Sequence, residues 1–370
     1  MVKKTEVSAQ LWPQIFERLA QDEYAALVDP DHDTLNDDRR MRTALARAGW
    51  TEAQIATIAA AHAARQEAAP VTSPGVSPDV EIAFDRLTAD VESAMARLGL
   101  SSYERVARGV EPRLGPIAAK INVTMTDESI VTVGAFLFRY CGLIARAFTR
   151  TLLLDPVFWQ SPDWDEREAL ARLSRQPALM WYWLRIQMSF AVTGTHILTP
   201  YEPSSPQEVM LMEQVARAME IFAIAHEYGH HDLDHGRCLE ADAKAEEFAA
   251  DQFALRIGYE VERFPFLMES PYLAGGAGGV VLLLALENLR EVGDIVLSRR
   301  ALQADTHPAA EERISRFDTV AVLKPQEFGV LRGFRSVSAR IMRTVGTSIR
   351  EGARTLPEPL VELLKTHAIP

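Results

Sequence analysis

The chain has 370 residues, with 48 % hydrophobic residues and Lys+Arg 39 against Asp+Glu 51, a formal net charge of -12. That composition suits a globular protein of more than one domain with a sizeable core, and the negative surplus argues against broad nucleic-acid binding or an anionic membrane surface as the main partner. Two cysteines exclude a disulfide framework.

Near the start, Glu6 and Glu17 stand where the apolar core of a secretory signal would lie, so a cytoplasmic location is expected. Residues 1–68 read as a helical module. Within it Gly49 ends one helix, and Thr51 with Gln54 forms a capping box for the next. Residues 69–79, rich in proline, read as a linker. Beyond it, Ile121, Val123 and Met125 alternate with polar residues, and Asp127-Glu128 turns into Ile130–Val133, which predicts a hairpin.

Helical periodicity then predicts helices over about 137–154, 165–190, 206–235, 239–257, 280–299 and 308–322, with a final pair between 326 and 365. The fold class expected is therefore α+β, predominantly helical. The longest uncharged run, Ser270 to Leu286, contains four glycines and falls short of the roughly 20 apolar residues of a membrane span. Its Gly275–Gly279 stretch lacks the lysine of a phosphate loop and reads as a flexible turn before a buried helix. Arg332, Arg335, Arg340, Arg343, Arg350 and Arg354 mark a solvated amphipathic face or, less commonly, a contact with an acidic partner or nucleic acid.

The chemistry concentrates at His226, Glu227 and His230, an H-E-x-x-H pattern on a helical segment. Four residues advance a helix by roughly 40°, so both imidazoles leave one face and can hold one metal. Glu227 stands about 100° away, beside the metal, where a base can take a proton from water. A catalytic zinc needs a third protein ligand. His235 is on nearly the opposite azimuth from His226 and can ligate only if the helix has ended. Glu247 and Asp251, four apart on the next helix, share a face. Glu247 can complete the site, Asp251 can accept the free N–H of a zinc histidine, and Ala249 and Ala250 let the helices approach.

These pieces, H-E-x-x-H at 226–230, E-x-x-A-D at 247–251 and Thr306-His307-Pro308 followed by Arg313-Ile314, resemble the gluzincin metallopeptidases that include the CAAX prenyl proteases and the heat-shock membrane proteases. The resemblance covers about 226–320. It implies a zincin-like core within residues 80–323, a helical insertion around 135–205 and a C-terminal helical extension over 324–370. It implies one zinc ion per chain on His226, His230 and Glu247, with Glu227 as general base and Asp251 orienting His226. His307 would lie close to the metal as an extra ligand or a polar contact, braced by Arg313. His307, Arg313 and Tyr228 remain alternatives for stabilising the oxyanion. Asn122 and Val123 resemble the family's strand whose edge pairs with extended substrate.

The function expected is a zinc endopeptidase acting on a protein or peptide, dedicated and regulated through its helical additions. Two other readings stay open. In one, residues 1–68 bind DNA or a protein partner and the peptidase fold senses or cleaves a repressor. In the other, the metal only stabilises a scaffold.

Overall fold

The computed structural model describes residues 38–68, 78–199, 202–236, 242–262, 270–297, 308–319 and 325–366. The fold is predominantly helical with one small sheet, as the periodicity predicts. Helices α1 (Asp38–Arg47), α2 (Glu52–Ala68) and α3 (Pro78–Arg97) precede strands β1 (Val106–Glu111), β2 (Ala118–Asn122) and β3 (Ser129–Gly134). Then come α4 (Leu137–Leu154), α5 (Pro156–Gln160), α6 (Glu166–Ser174), α7 (Pro177–Thr193), α8 (Val209–Asp232) and α9 (Ala243–Glu262). The chain continues through α10 (Pro271–Ala274), α11 (Ala277–Leu297), α12 (Ala310–Ser315), α13 (Pro325–Arg354) and α14 (Glu358–Thr366).

Local chemistry accounts for most boundaries. Thr51 and Gln54 cap α2 reciprocally, with Thr51 N–H donating to Gln54 Oε1 at 3.0 Å. The helix expected over 165–190 is two helices, because Pro177 lacks an N–H and opens a new helix at its first turn. The linker expected over 69–79 lies outside the described residues except for its end, where Pro78 and Asp79 already belong to α3.

The hairpin is present in a shifted form. β2 pairs antiparallel with β3, while Val123 to Glu128 form the turn and Met125 adopts a left-handed backbone there. β3 lies in the middle of the sheet with β1 parallel on its far side, a strand the periodicity missed. Exposed Ala107 and Arg108 and the interrupting Gly109 leave β1 without a two-residue alternation. β3 shows that alternation clearly, burying Ser129, Val131 and Val133.

α8 is the hub. It packs against α3, α4, α9, α10, α11 and the sheet, and α7, α11 and α13 pack around one another behind it. One continuous core runs from Phe84 on α3 to Leu364 on α14, with fully buried Tyr140, Trp183 and Tyr228 inside. Residues 137–154, separate from the motif in sequence, thus pack directly on its helix, while residues 177–193 and 325–354 pack on α11 behind it. Only Met41, Leu45 and Ile55, on α1 and α2, form a satellite cluster. Trp50 ties that module to the body by donating to the Ser204 carbonyl at 2.7 Å.

The glycine-rich run divides in two: Gly275 and Gly276 make the turn expected before the buried helix, Gly276 in the left-handed region, while the glycines that follow serve packing. Gly278 and Gly279 belong to α11 and press onto α8, where a Cβ on Gly278 would lie 2.5 Å from Ala218 Cβ and one on Gly279 2.7 Å from the Phe222 ring. The arginine series is spent within the chain: Arg335 donates to the Gly275 carbonyl, Arg340 to those of Trp159 and Ser161, and Arg350 pairs with Glu291. Arg332, Arg343 and Arg354 likewise meet Asp318, Glu311 and Glu351. No described helix is long and apolar enough to cross a membrane. Replacing Gly278 by alanine should lower stability by about 1–3 kcal/mol in chemical denaturation, because the helix crossing cannot absorb an added methyl group.

Candidate metal centre

The site forms where α8 and α9 lie side by side. Gly229, inside the motif, makes the approach possible: a Cβ there would lie 3.0 Å from Phe253 Cβ and 3.2 Å from the Ala250 Cα. The small residues foreseen at 249 and 250 therefore work together with a glycine on the facing helix.

His226 and His230 point their Nε2 atoms at each other across 3.0 Å. Glu247 Oε2 is 3.4 Å from His226 Nε2, and Glu247 Oε1 is 3.4 Å from His230 Nε2. A tetrahedral metal ~2.0–2.1 Å from each donor separates neighbouring donors by about 3.3 Å, so the three side chains match the demands of zinc in chemistry and spacing. Among the described residues no other group of three such side chains converges in this way.

Each imidazole is held from behind. His226 Nδ1 faces Asp251 Oδ1 at 3.0 Å, an acceptor that holds a hydrogen on Nδ1 and turns Nε2 toward Glu247 and His230. His230 Nδ1 faces His235 Nδ1 at 2.9 Å. His235 reaches that position because the helix has ended: Leu233 to Gly236 turn back, with Asp234 in the left-handed region. The turn is fastened by Lys120 Nζ, which donates to the His235 carbonyl at 2.6 Å, and by the Gly236 N–H, which donates to Glu246 Oε1 at 3.0 Å. Sequence spacing pointed to Asp251 through its one-turn offset from Glu247. It missed His235 as a support for His230, because that role depends on a reversal after α8 that no periodicity encodes.

Arg313 occupies the rear of the site. Its Nε and Nη2 donate to the two oxygens of Asp251 at 2.7 and 2.6 Å, and its Nη1 lies 3.4 Å from Glu247 Oε2. Such a bidentate pair orients Asp251 and neutralises it. Arg313 is thereby a positioning residue for the two carboxylates.

The remaining expected residues fall as follows. Glu227 is partly exposed and lines the cleft in front of the triad. Tyr228 points the other way: it is fully buried and its hydroxyl donates to Glu92 Oε1 at 2.7 Å, so it cannot face an oxyanion in the cleft. His231, next to His230 in the motif helix, is buried against the sheet with Ser129 Oγ and the Ser102 carbonyl both 2.9 Å from its ring nitrogens. Asn122 lines the cleft at the end of β2, its amide 3.4 Å from the His235 carbonyl. Val123 lies in the following turn and uses its N–H on the Glu128 carbonyl, so that group is taken up within the turn. His307 lies outside the described residues.

The electrostatics follow from this clustering. Burial opposes a charge on His226, yet the hydrogen bonds to Asp251 and Glu247 outweigh it and raise its pKa from 6.5 to about 9. Glu247 is buried too, but the imidazoles of His226 and His230 hold its carboxyl far below the usual range. Asp251 is lowered against its burial by Arg313 and His226.

The cleft spans about 1550 Å³ between the outer edge of β2 and α11, larger than the ~300–1,000 Å³ of small-molecule sites. Comparison with protein-family models, curated proteins and solved structures gave no match.

Two outcomes follow. Glu247→Ala should abolish stoichiometric zinc and Asp251→Asn should weaken it by about 10–100-fold, as read by metal analysis and chelator competition. In metal-free protein the raised His226 pKa contributes stability that is complete below its ordinary value of 6.5 and is lost as pH rises through about 9. Chemical denaturation across that window checks the sign, with His226→Gln expected to flatten the profile.

Proposed function

We propose that the chain is a zinc-dependent endopeptidase of the gluzincin type, built on a zincin-like core, that hydrolyses peptide bonds in a protein or peptide substrate. The observation that carries this reading is the convergence of His226, His230 and Glu247 at donor spacings suited to zinc, with Glu227 beside them on the wall of one large cleft. Asp251 and His235 behind the imidazoles complete the arrangement that a catalytic metal needs.

Zinc, when bound, supplies a Lewis acid and acidifies water at neutral pH. The chain's own residues do the rest. Glu227 takes a proton from the attacking water and returns it to the leaving amine. β2 offers an edge: β3 pairs on one side of it, and its other side faces the cleft, where an extended substrate backbone can add as a further strand. Asp251, clamped by Arg313, keeps the His226 ring in one tautomer and one orientation throughout.

Retention of a carboxylate at 227 favours turnover over a purely structural metal, because a scaffold has no use for a base in an open cleft. Glu227→Gln should keep its zinc and lose peptide hydrolysis by about 10²–10⁴-fold. Peptidase assays paired with metal analysis decide this; undiminished hydrolysis by the variant would sink the mechanism.

A further inference from the structure

The crossing of α11 over α8 determines what stands next to the triad. Gly278 lies on Ala218 and Gly279 on Phe222, so the two helices touch one turn before His226. The Phe222 ring is stacked on that of His226 with centroids 6.4 Å apart. From the crossing, α11 runs along the cleft and lines it with Leu282, Leu286 and Leu289, joined by Ile117, Leu137 and Phe222. An apolar wall therefore begins beside a metal ligand and extends along α11.

Its length has a meaning for a polypeptide. The seven-residue step from Leu282 to Leu289 advances a helix by ~10 Å, the rise of about three residues of extended chain at ~3.3 Å each. Two alternate side chains of a bound strand would point at this wall while its backbone lies along β2 on the opposite side. Beyond Leu289 the lining continues at Gly293 and Ala191, two residues with little or no side chain. Glu287, Arg290 and Asp294 also line the cleft on α11, giving the wall a polar rim that suits a peptide backbone better than a long acyl chain.

Resting on the peptidase reading, we infer that this wall is a specificity subsite selecting polypeptides with bulky apolar side chains at alternate positions beside the scissile bond. Leu286 and Leu289 are its specificity-determining residues.

The test uses full-length, zinc-loaded Glu227→Gln protein and short fluorescent peptides carrying either leucine or serine at two alternate positions, with binding read by anisotropy. The leucine peptide should bind at least about tenfold more tightly, the discrimination an apolar pocket gives. Leu286→Ser and, separately, Leu289→Ser should each erode that preference while zinc content and melting temperature hold. Two variants guard against one failing to fold. Equal binding of the two peptides, or full preference in both folded variants, overturns the inference, as does a free fatty acid that displaces the leucine peptide at equal affinity. If Glu227→Gln binds with the expected preference but wild-type protein never cuts the leucine peptide, the subsite is supported and the peptidase reading falls.

Discussion

Two carboxylates buried within one helical turn of each other set the terms for the rest of the structure. Glu247 and Asp251 are 7 % and 2 % exposed. Charges at that depth are tolerated only when paired and hydrogen-bonded. His226 sits between them, and Arg313 reaches both from behind. The pairing dictates more than local geometry. It requires α12 to be held beside α9 and α11, because Arg313 comes from that short helix. It also requires α8 and α9 to lie in near contact, which Gly229 permits. A metal added to this set would replace the proton demand of two facing Nε2 atoms with a single cation.

The sheet and the triad are mechanically joined. Lys120 and Asn122, at the end of β2, both reach the carbonyl of His235, whose ring supports His230. His231, on the other side of α8, grips Ser129 at the start of β3. Consecutive histidines of the motif helix therefore serve opposite ends of the same task, one turned to the metal position and one fixing the strand that walls the cleft.

Much of this was legible in the sequence for a physical reason: helical spacing projects directly into space. The 226–230 and 247–251 intervals place side chains on one face whatever surrounds them, and the alternation from Ile121 with the Asp127-Glu128 turn marks a hairpin, although Val123 and Met125 belong to the turn itself. What escaped depends on non-local geometry. β1 is an edge strand with exposed residues and carries no pattern. The arginines of α13 look like a solvated face until the body folds against them. Gly278 and Gly279 read as part of the turn that Gly275 and Gly276 do make, because a glycine used for close approach and one used for a turn are the same letter. Tyr228, adjacent to the base in sequence, belongs to the opposite side of the helix and to Glu92.

The core that runs unbroken from α3 to α14 bears on how such a site could arise or be moved. The motif helix is covered by α3, the sheet, α4, α9, α10 and α11, and α13 in turn packs on α11, so the reactive cluster has no portable unit smaller than the body that encloses it. An insertion that lengthened α4, or a loss that removed α13, would be felt at His226 through packing alone. Variation is free to accumulate in the α1–α2 pair, which has its own small cluster and touches the body through few bonds. Diversification of this architecture would therefore proceed at its amino-terminal flank and along the walls of the cleft, with the interior held nearly constant.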